Sequence, residues 1–224
     1  MTMHTIGQEL PAQWIALLAA LMLVLQLLLA VQRMLITSIR LFALQSFLLA
    51  SIACIVAWFY HATDVYVVAG LTVAGKVLFL PWFLGRRVRQ MGIEQEMKPL
   101  LNPPTSMLLC GAFTLLGYIV ARPFTSMERL GNNTLGVAIT LLLTGLFLMI
   151  NRRKAITLVL ALLTAENGLY LAAIALSSYG IPLVVELGIF FDVMVGVMVL
   201  GILVYRIRET FASMDVSKMS QLKG

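Results

Sequence analysis

Within the apolar run LLTAENGLYLAAIA, residues 162–175, a carboxylate and an amide stand side by side at Glu166 and Asn167. A carboxylate in hydrocarbon is costly, so by default it faces a packed bundle or a water-filled path and takes part in proton or ion chemistry there. Three further groups share that setting: Lys76 in GLTVAGKVLFLP, Asp192 in GIFFDVMVGV and Gln45 in RLFALQSFLL. At a rise of about 1.5 Å per residue, Glu166 and Lys76 each lie about 16 Å into their apolar segments and Asp192 about 15 Å into its own. Gln45, ten residues into the second segment, belongs to the same layer, which is the midplane of a hydrocarbon core about 30 Å thick. Arg40 lies nearer the cytoplasmic end and Glu186 nearer the outer end, so the two extend the layer in both directions. A plain packing role is open to Lys76, which can neutralise Glu166 or Asp192 as a buried pair. Two acids to one base leave one acid without a full partner, and groups poised in this way exchange protons.

The segments that position these groups follow from composition. Of the 224 residues 61% are hydrophobic and 12% charged, against about 25% charged in a soluble domain, and the mean hydropathy is +0.97. An all-α polytopic membrane protein follows, with seven predicted spans at roughly 13–31, 35–60, 65–85, 105–121, 134–150, 155–178 and 182–205, each near the ~20 residues a crossing needs. The N-terminus lacks the basic region of a signal peptide, and the first apolar run is long enough to remain as an anchor. Arg33, the four Lys or Arg of 86–98, the three of 151–154 and the four beyond residue 205 fall on one face of the membrane, while Arg122 and Arg129 fall on the other. The positive-inside rule then places the N-terminus outside and the C-terminus in the cytoplasm. The same residues account for the net charge of +6, and lipid head groups rather than nucleic acid are its partner, since no basic stretch is interleaved with stacking aromatics.

Several motifs lead nowhere. Residues 70–77, GLTVAGKV, begin as a phosphate loop, but Val77 stands where a magnesium-binding Ser or Thr belongs. Gly70 and Gly75 are expected instead to let helices approach closely. Cys54 and Cys110 lie inside predicted spans without a CxxC pair, which excludes a disulfide framework and a zinc site. A retinal lysine belongs in a last helix, whereas Lys76 is in the third span. An offset of 121 residues lays 32–50 over 153–171 and sets Gln45 on Glu166, a possible internal duplication.

The second half carries a resemblance. NRRKAITLVLALLTAENGLYLA, VVELGIFFDVMVGVMVLGILVYRIRE and the ending MDVSKMSQLKG resemble the small K subunit of respiratory complex I, a three-helix protein with two membrane glutamates. Glu166 takes the first of these positions and Asp192 the second, with Asp in place of Glu. Taken whole, the chain is similar to the hydrogenase-4 component E family, in which an extension precedes the K-like part. The matching elements are Glu166-Asn167-Gly168, Val185-Glu186-Leu187-Gly188, Asp192, Ser213-Met214-Asp215-Val216, Leu222-Lys223-Gly224 and the run from Lys76 to Pro81.

The resemblance implies residues 1–130 as an N-terminal membrane extension of about four helices and residues 131–224 as the K-like part with a short cytoplasmic tail. It further implies a membrane-arm subunit of a complex I-like, energy-converting hydrogenase of the formate hydrogenlyase type, in the inner membrane of a prokaryotic cell. Partners would be antiporter-like membrane proteins, a membrane protein resembling the H component of complex I, and a peripheral hydrogenase-like arm. The nickel-iron site and iron-sulfur clusters would lie in those partners, with no cofactor in this chain. Glu166, Asp192, Lys76 and Glu186 would then transfer protons, supported by Gln45, Arg40 and Asn167, with Lys76 governing the acids by changing partner. A subunit of a multi-subunit sodium/proton antiporter, and a structural subunit without a proton role, stand as alternatives.

Overall fold

A computed structural model describes residues 3–60, 63–91, 99–124, 133–176 and 201. Among them the chain is helical, without a β-strand. The helices are α1 (Met3–Val31), α2 (Leu35–Tyr60), α3 (Thr63–Thr72), α4 (Leu80–Met91), α5 (Pro103–Ala121), α6 (Thr134–Asn151) and α7 (Ala155–Leu176). Two compact units divide the chain, Met1–Glu186 and Leu187–Gly224, and all seven helices belong to the first. The seventh predicted span, with Glu186 and Asp192, lies outside the described residues.

Among the described residues six helical stretches are long and apolar enough to cross a membrane: Pro11–Val31, Leu35–Phe59, Val65–Gln90, Pro103–Phe124, Thr134–Asn151 and Ile156–Leu176. They match the first six predicted spans within a few residues, and the third runs to Gln90 rather than 85. That third span is one rod of three parts, because a π-helical segment, Val73–Phe79, joins α3 to α4. Pro81 supplies a reason: in an α-helix its ring would strike the carbonyl four residues back, and it has no N–H to donate. The wider π turn relieves that crowding, and Leu80 N–H reaches back five residues to the Gly75 carbonyl.

Two pairs of helices show how small residues set the packing. In membranes association rests on close backbone approach rather than on expelling water. A Cβ built at Gly168 of α7 would stand 2.6 Å from the Leu142 nitrogen and 2.8 Å from the Ala138 oxygen of α6, and one at Gly145 would meet the Ala165 backbone at 2.7 Å. Gly117 of α5 packs as closely on Gly136 and Thr140 of α6. Gly70, expected from sequence to serve such an approach, does not: no atom lies within 4 Å of where its Cβ would be. Small size permits a close approach but does not create one, and among the described residues none packs onto α3 at Gly70. Along α1 the residues Trp14, Leu17, Leu21, Val24 and Leu28 are exposed at helical spacing, which gives the helix an apolar outer stripe. The opposite stripe, Ile15, Ala19, Met22 and Leu25, enters the main core with Leu49, Ile52, Leu141 and Leu171.

The ends of α1 and α6 and the start of α5 are fastened together. Arg152, buried just past α6, donates through Nη2 to the carbonyls of Leu29, Ala30 and Gln32 at 2.9, 3.0 and 2.9 Å. These are carbonyls of the last turn of α1 and just beyond, and a cation there also opposes the helix dipole. Asn151 accepts the Leu101 N–H at 2.8 Å and donates to Ser106 Oγ at 3.1 Å. The connections 32–34, 99–102 and 152–154 therefore meet on one side, the side that the basic residues mark. Arg152, read from sequence as a topology signal, is a structural clamp as well.

Candidate functional site

The buried polar groups of four helical segments meet in one place. Lys76 Nζ lies 3.3 Å from Glu166 Oε2, with both side chains almost entirely enclosed. The same ammonium donates to Asn167 Oδ1 at 3.4 Å. Asn167 Nδ2 donates in turn to Ser46 Oγ at 3.1 Å and Gln45 Oε1 at 3.5 Å. Gln45 Nε2 completes the chain by donating to Gln26 Oε1 at 3.0 Å and to the Met22 carbonyl at 3.3 Å. A continuous polar cluster thus runs from α7 and the π segment through α2 to α1.

Local structure explains each placement. Adjacent residues on an α-helix point about 100° apart, so Glu166 and Asn167 converge on one ammonium because Lys76 approaches α7 on a long stem. Gly168, next along, turns the following face of the same helix onto the α6 backbone. The triplet Glu-Asn-Gly therefore serves an ion pair, an amide bridge and a tight helix contact in succession. Lys76 itself sits in the middle of the π segment. An extra residue per turn shifts the helix face by about 100°, and short π stretches recur at functional positions.

The sequence singled out Gln45, Lys76, Glu166 and Asn167, and the fold brings these four together. Arg40 lies on an exposed face of α2, apart from the cluster. Glu186 and Asp192 lie outside the described residues. Two members went unnoticed in sequence, Gln26 and Ser46, both essentially inaccessible. Gln26 had a signal, an amide inside an otherwise apolar span, but counting along α1 puts it about 8 Å from the helix end and so off the midplane layer. Only the crossing of α1 over α2 sets it against Gln45. Its Nε2 has no hydrogen-bond partner, so the cluster ends on α1 with a donor to spare.

Chemically, the arrangement offers one ammonium shared between a carboxylate and an amide oxygen, in surroundings that make charge separation costly. A proton passed from Lys76 Nζ to Glu166 Oε2 breaks an N–H bond, forms an O–H bond and turns an ion pair into two neutral groups. The amides of Asn167, Gln45 and Gln26 hold the geometry and connect the helices.

Among the described residues, six helices long and apolar enough to cross a membrane, with an ion pair buried between two of them, define a multi-pass α-helical membrane protein. Over 150 residues the chain is 33% identical to an uncharacterized protein of Mycobacterium tuberculosis, covering 66% of this chain and 68% of that one. Over 184 residues it is 28% identical to hydrogenase-4 component E of Escherichia coli strain K12, covering 82% and 85%, and to the protein of the same name from Shigella flexneri to the same extent. No family model matches the chain, and no solved structure does. The resemblance to hydrogenase-4 component E read from sequence is supported over most of the chain.

Proposed function

We propose that this chain is a membrane-arm subunit, without a redox site of its own, of a complex I-like energy-converting hydrogenase in a prokaryotic inner membrane, and that Lys76 and Glu166 handle the proton in its translocation. The observation that supports this most is a buried ion pair at mid-depth in a chain similar over most of its length to hydrogenase-4 component E. In this reading nickel-iron and iron-sulfur chemistry takes place in partner subunits, and its free energy reaches the membrane as a change in the pairing of Lys76. When Glu166 takes the proton, Lys76 Nζ remains held by Asn167 Oδ1, so the lysine stays in place for reprotonation. Asp192 and Glu186 extend the route beyond Glu166, and antiporter-like neighbours and one resembling the H component of complex I adjoin it.

One observation favours a second reading. The hydrogen bonds of Asn167, Gln45 and Gln26 tie α7, α2 and α1 together, as a purely structural role would require. Affinity purification of the assembled complex, with wild type and Glu166→Gln compared for subunit composition and for proton translocation in proteoliposomes, separates the two. The proposal expects hydrogenase-like subunits in both preparations and at least a tenfold loss of translocation, below the usual contribution of a general acid-base group, in the variant. Full translocation by an intact Glu166→Gln complex leaves the structural role standing and refutes the proton role.

A further inference from the structure

A groove on α4 has the features of a lipid site. Pro81, Trp82, Gly85, Arg86, Arg89 and Gln90 line an open cavity of about 530 Å³, and Trp82, Gly85, Arg86 and Arg89 follow the spacing of a single helix stripe. Its floor exists because of Gly85: a Cβ there would meet no atom within 4 Å. Depth locates it. Lys76 lies near the midplane, so Trp82 is about 9 Å, Arg86 about 15 Å and Arg89 about 20 Å further along the rod. With a half-thickness of about 15 Å for the hydrocarbon core, Trp82 stands at acyl-chain level, Arg86 at the boundary and Arg89 among the head groups.

Among the described residues the charges in the groove face no acid: neither Arg86 nor Arg89 has an acidic partner, and the ion pair at Lys76 is remote from both. Arg86 lies over the Trp82 ring, 5.8 Å from its centroid. Arg87 is occupied elsewhere, over Phe83 at 5.3 Å and against Gln90 Oε1 at 3.4 Å. Trp82, below the boundary, offers an apolar wall to an acyl chain, and a guanidinium pair matches the geometry of a phosphate.

We infer that this groove is a binding site for an anionic phospholipid, its phosphodiester seated between Arg86 and Arg89 and an acyl chain running over Gly85 along Trp82. A zwitterionic lipid carries the same phosphate, but its ammonium cancels the charge that the two arginines select. Because the site stands apart from Lys76 and Glu166, it holds whether or not those residues move protons.

Native mass spectrometry of the delipidated full chain tests the inference, with phosphatidylglycerol, phosphatidylcholine of the same acyl chains and soluble glycerol phosphate as probes. Wild type is expected to hold one phosphatidylglycerol in preference to phosphatidylcholine, and glycerol phosphate at equal concentration should not displace it. Arg86→Gln and Arg89→Gln should each weaken binding about fivefold. Gly85→Leu, which fills the groove and leaves every charge in place, should abolish the preference. Arg153→Gln, at an exposed arginine of another connection, should change nothing. Equal losses from Arg153→Gln, full binding by Gly85→Leu, displacement by glycerol phosphate or equal binding of the two lipids would each overturn the site. Should Gly85→Leu not remain monodisperse, Gly85→Ser decides in its place, with a partial loss expected.

Discussion

Removing the charges of Lys76 and Glu166 singly and together gives the most searching test of the cluster. At 3.3 Å and an effective dielectric of about 20, their attraction is about 5 kcal/mol. Desolvation of two ions, several kcal/mol each, offsets much or all of it, so the pair adds little net stability while its members depend heavily on one another. Lys76→Met strands the carboxylate and deprives Asn167 Oδ1 of a donor; Glu166→Gln strands the ammonium. Each single change is expected to lower stability by about 3–5 kcal/mol. The double variant buries no unpaired charge, and its loss should shrink to the unmet Asn167 acceptor, about 1–3 kcal/mol. The coupling energy is then at least about 3 kcal/mol, large for a double-mutant cycle. Reversible unfolding of the purified chain in mixed micelles, followed by circular dichroism across a detergent titration, reads all four corners. If the double variant loses the sum of the singles within about 0.5 kcal/mol, the two groups are not coupled and the cluster as described is wrong.

Two further outcomes follow from the packing. Gly168→Ala pushes a methyl into the main chain of Leu142 and Ala138 and should destabilise by about 1–3 kcal/mol, whereas Gly70→Ala, with open space around it, should be neutral or stabilise by up to about 1 kcal/mol; the same unfolding titration decides, and a reversed order would contradict the contact between α6 and α7. Arg152→Gln removes the charge-assisted bonds to the carbonyls at the end of α1, about 1.5–3 kcal/mol, and hydrogen exchange should quicken in peptides covering residues 24–36 while those covering the middle of α7 hold steady. Unchanged exchange at the end of α1 would show that the clamp has no energetic weight.

Much of the molecule was legible in its sequence because the membrane leaves a chain few choices. Every backbone group inside hydrocarbon must be paired within its own segment, so apolar runs of sufficient length become helices, and the six described spans lie where composition puts them. The cost of buried charge likewise exposed Lys76 and Glu166 as members of one layer, since isolated ions at that depth would not persist. What the sequence did not contain was which side of each helix faces which neighbour. That is decided by interhelical packing, by Gly168 and Gly145 closing α7 on α6 while the equally small Gly70 meets nothing, and by Pro81, whose missing N–H goes with a π turn at Lys76. Those contacts select Glu166 as the partner of Lys76, enlist Gln26 and Ser46, leave Arg40 outside and turn Arg152 into a clamp. One-dimensional spacing determines depth, but rotation about a helix axis is fixed only by what packs against it.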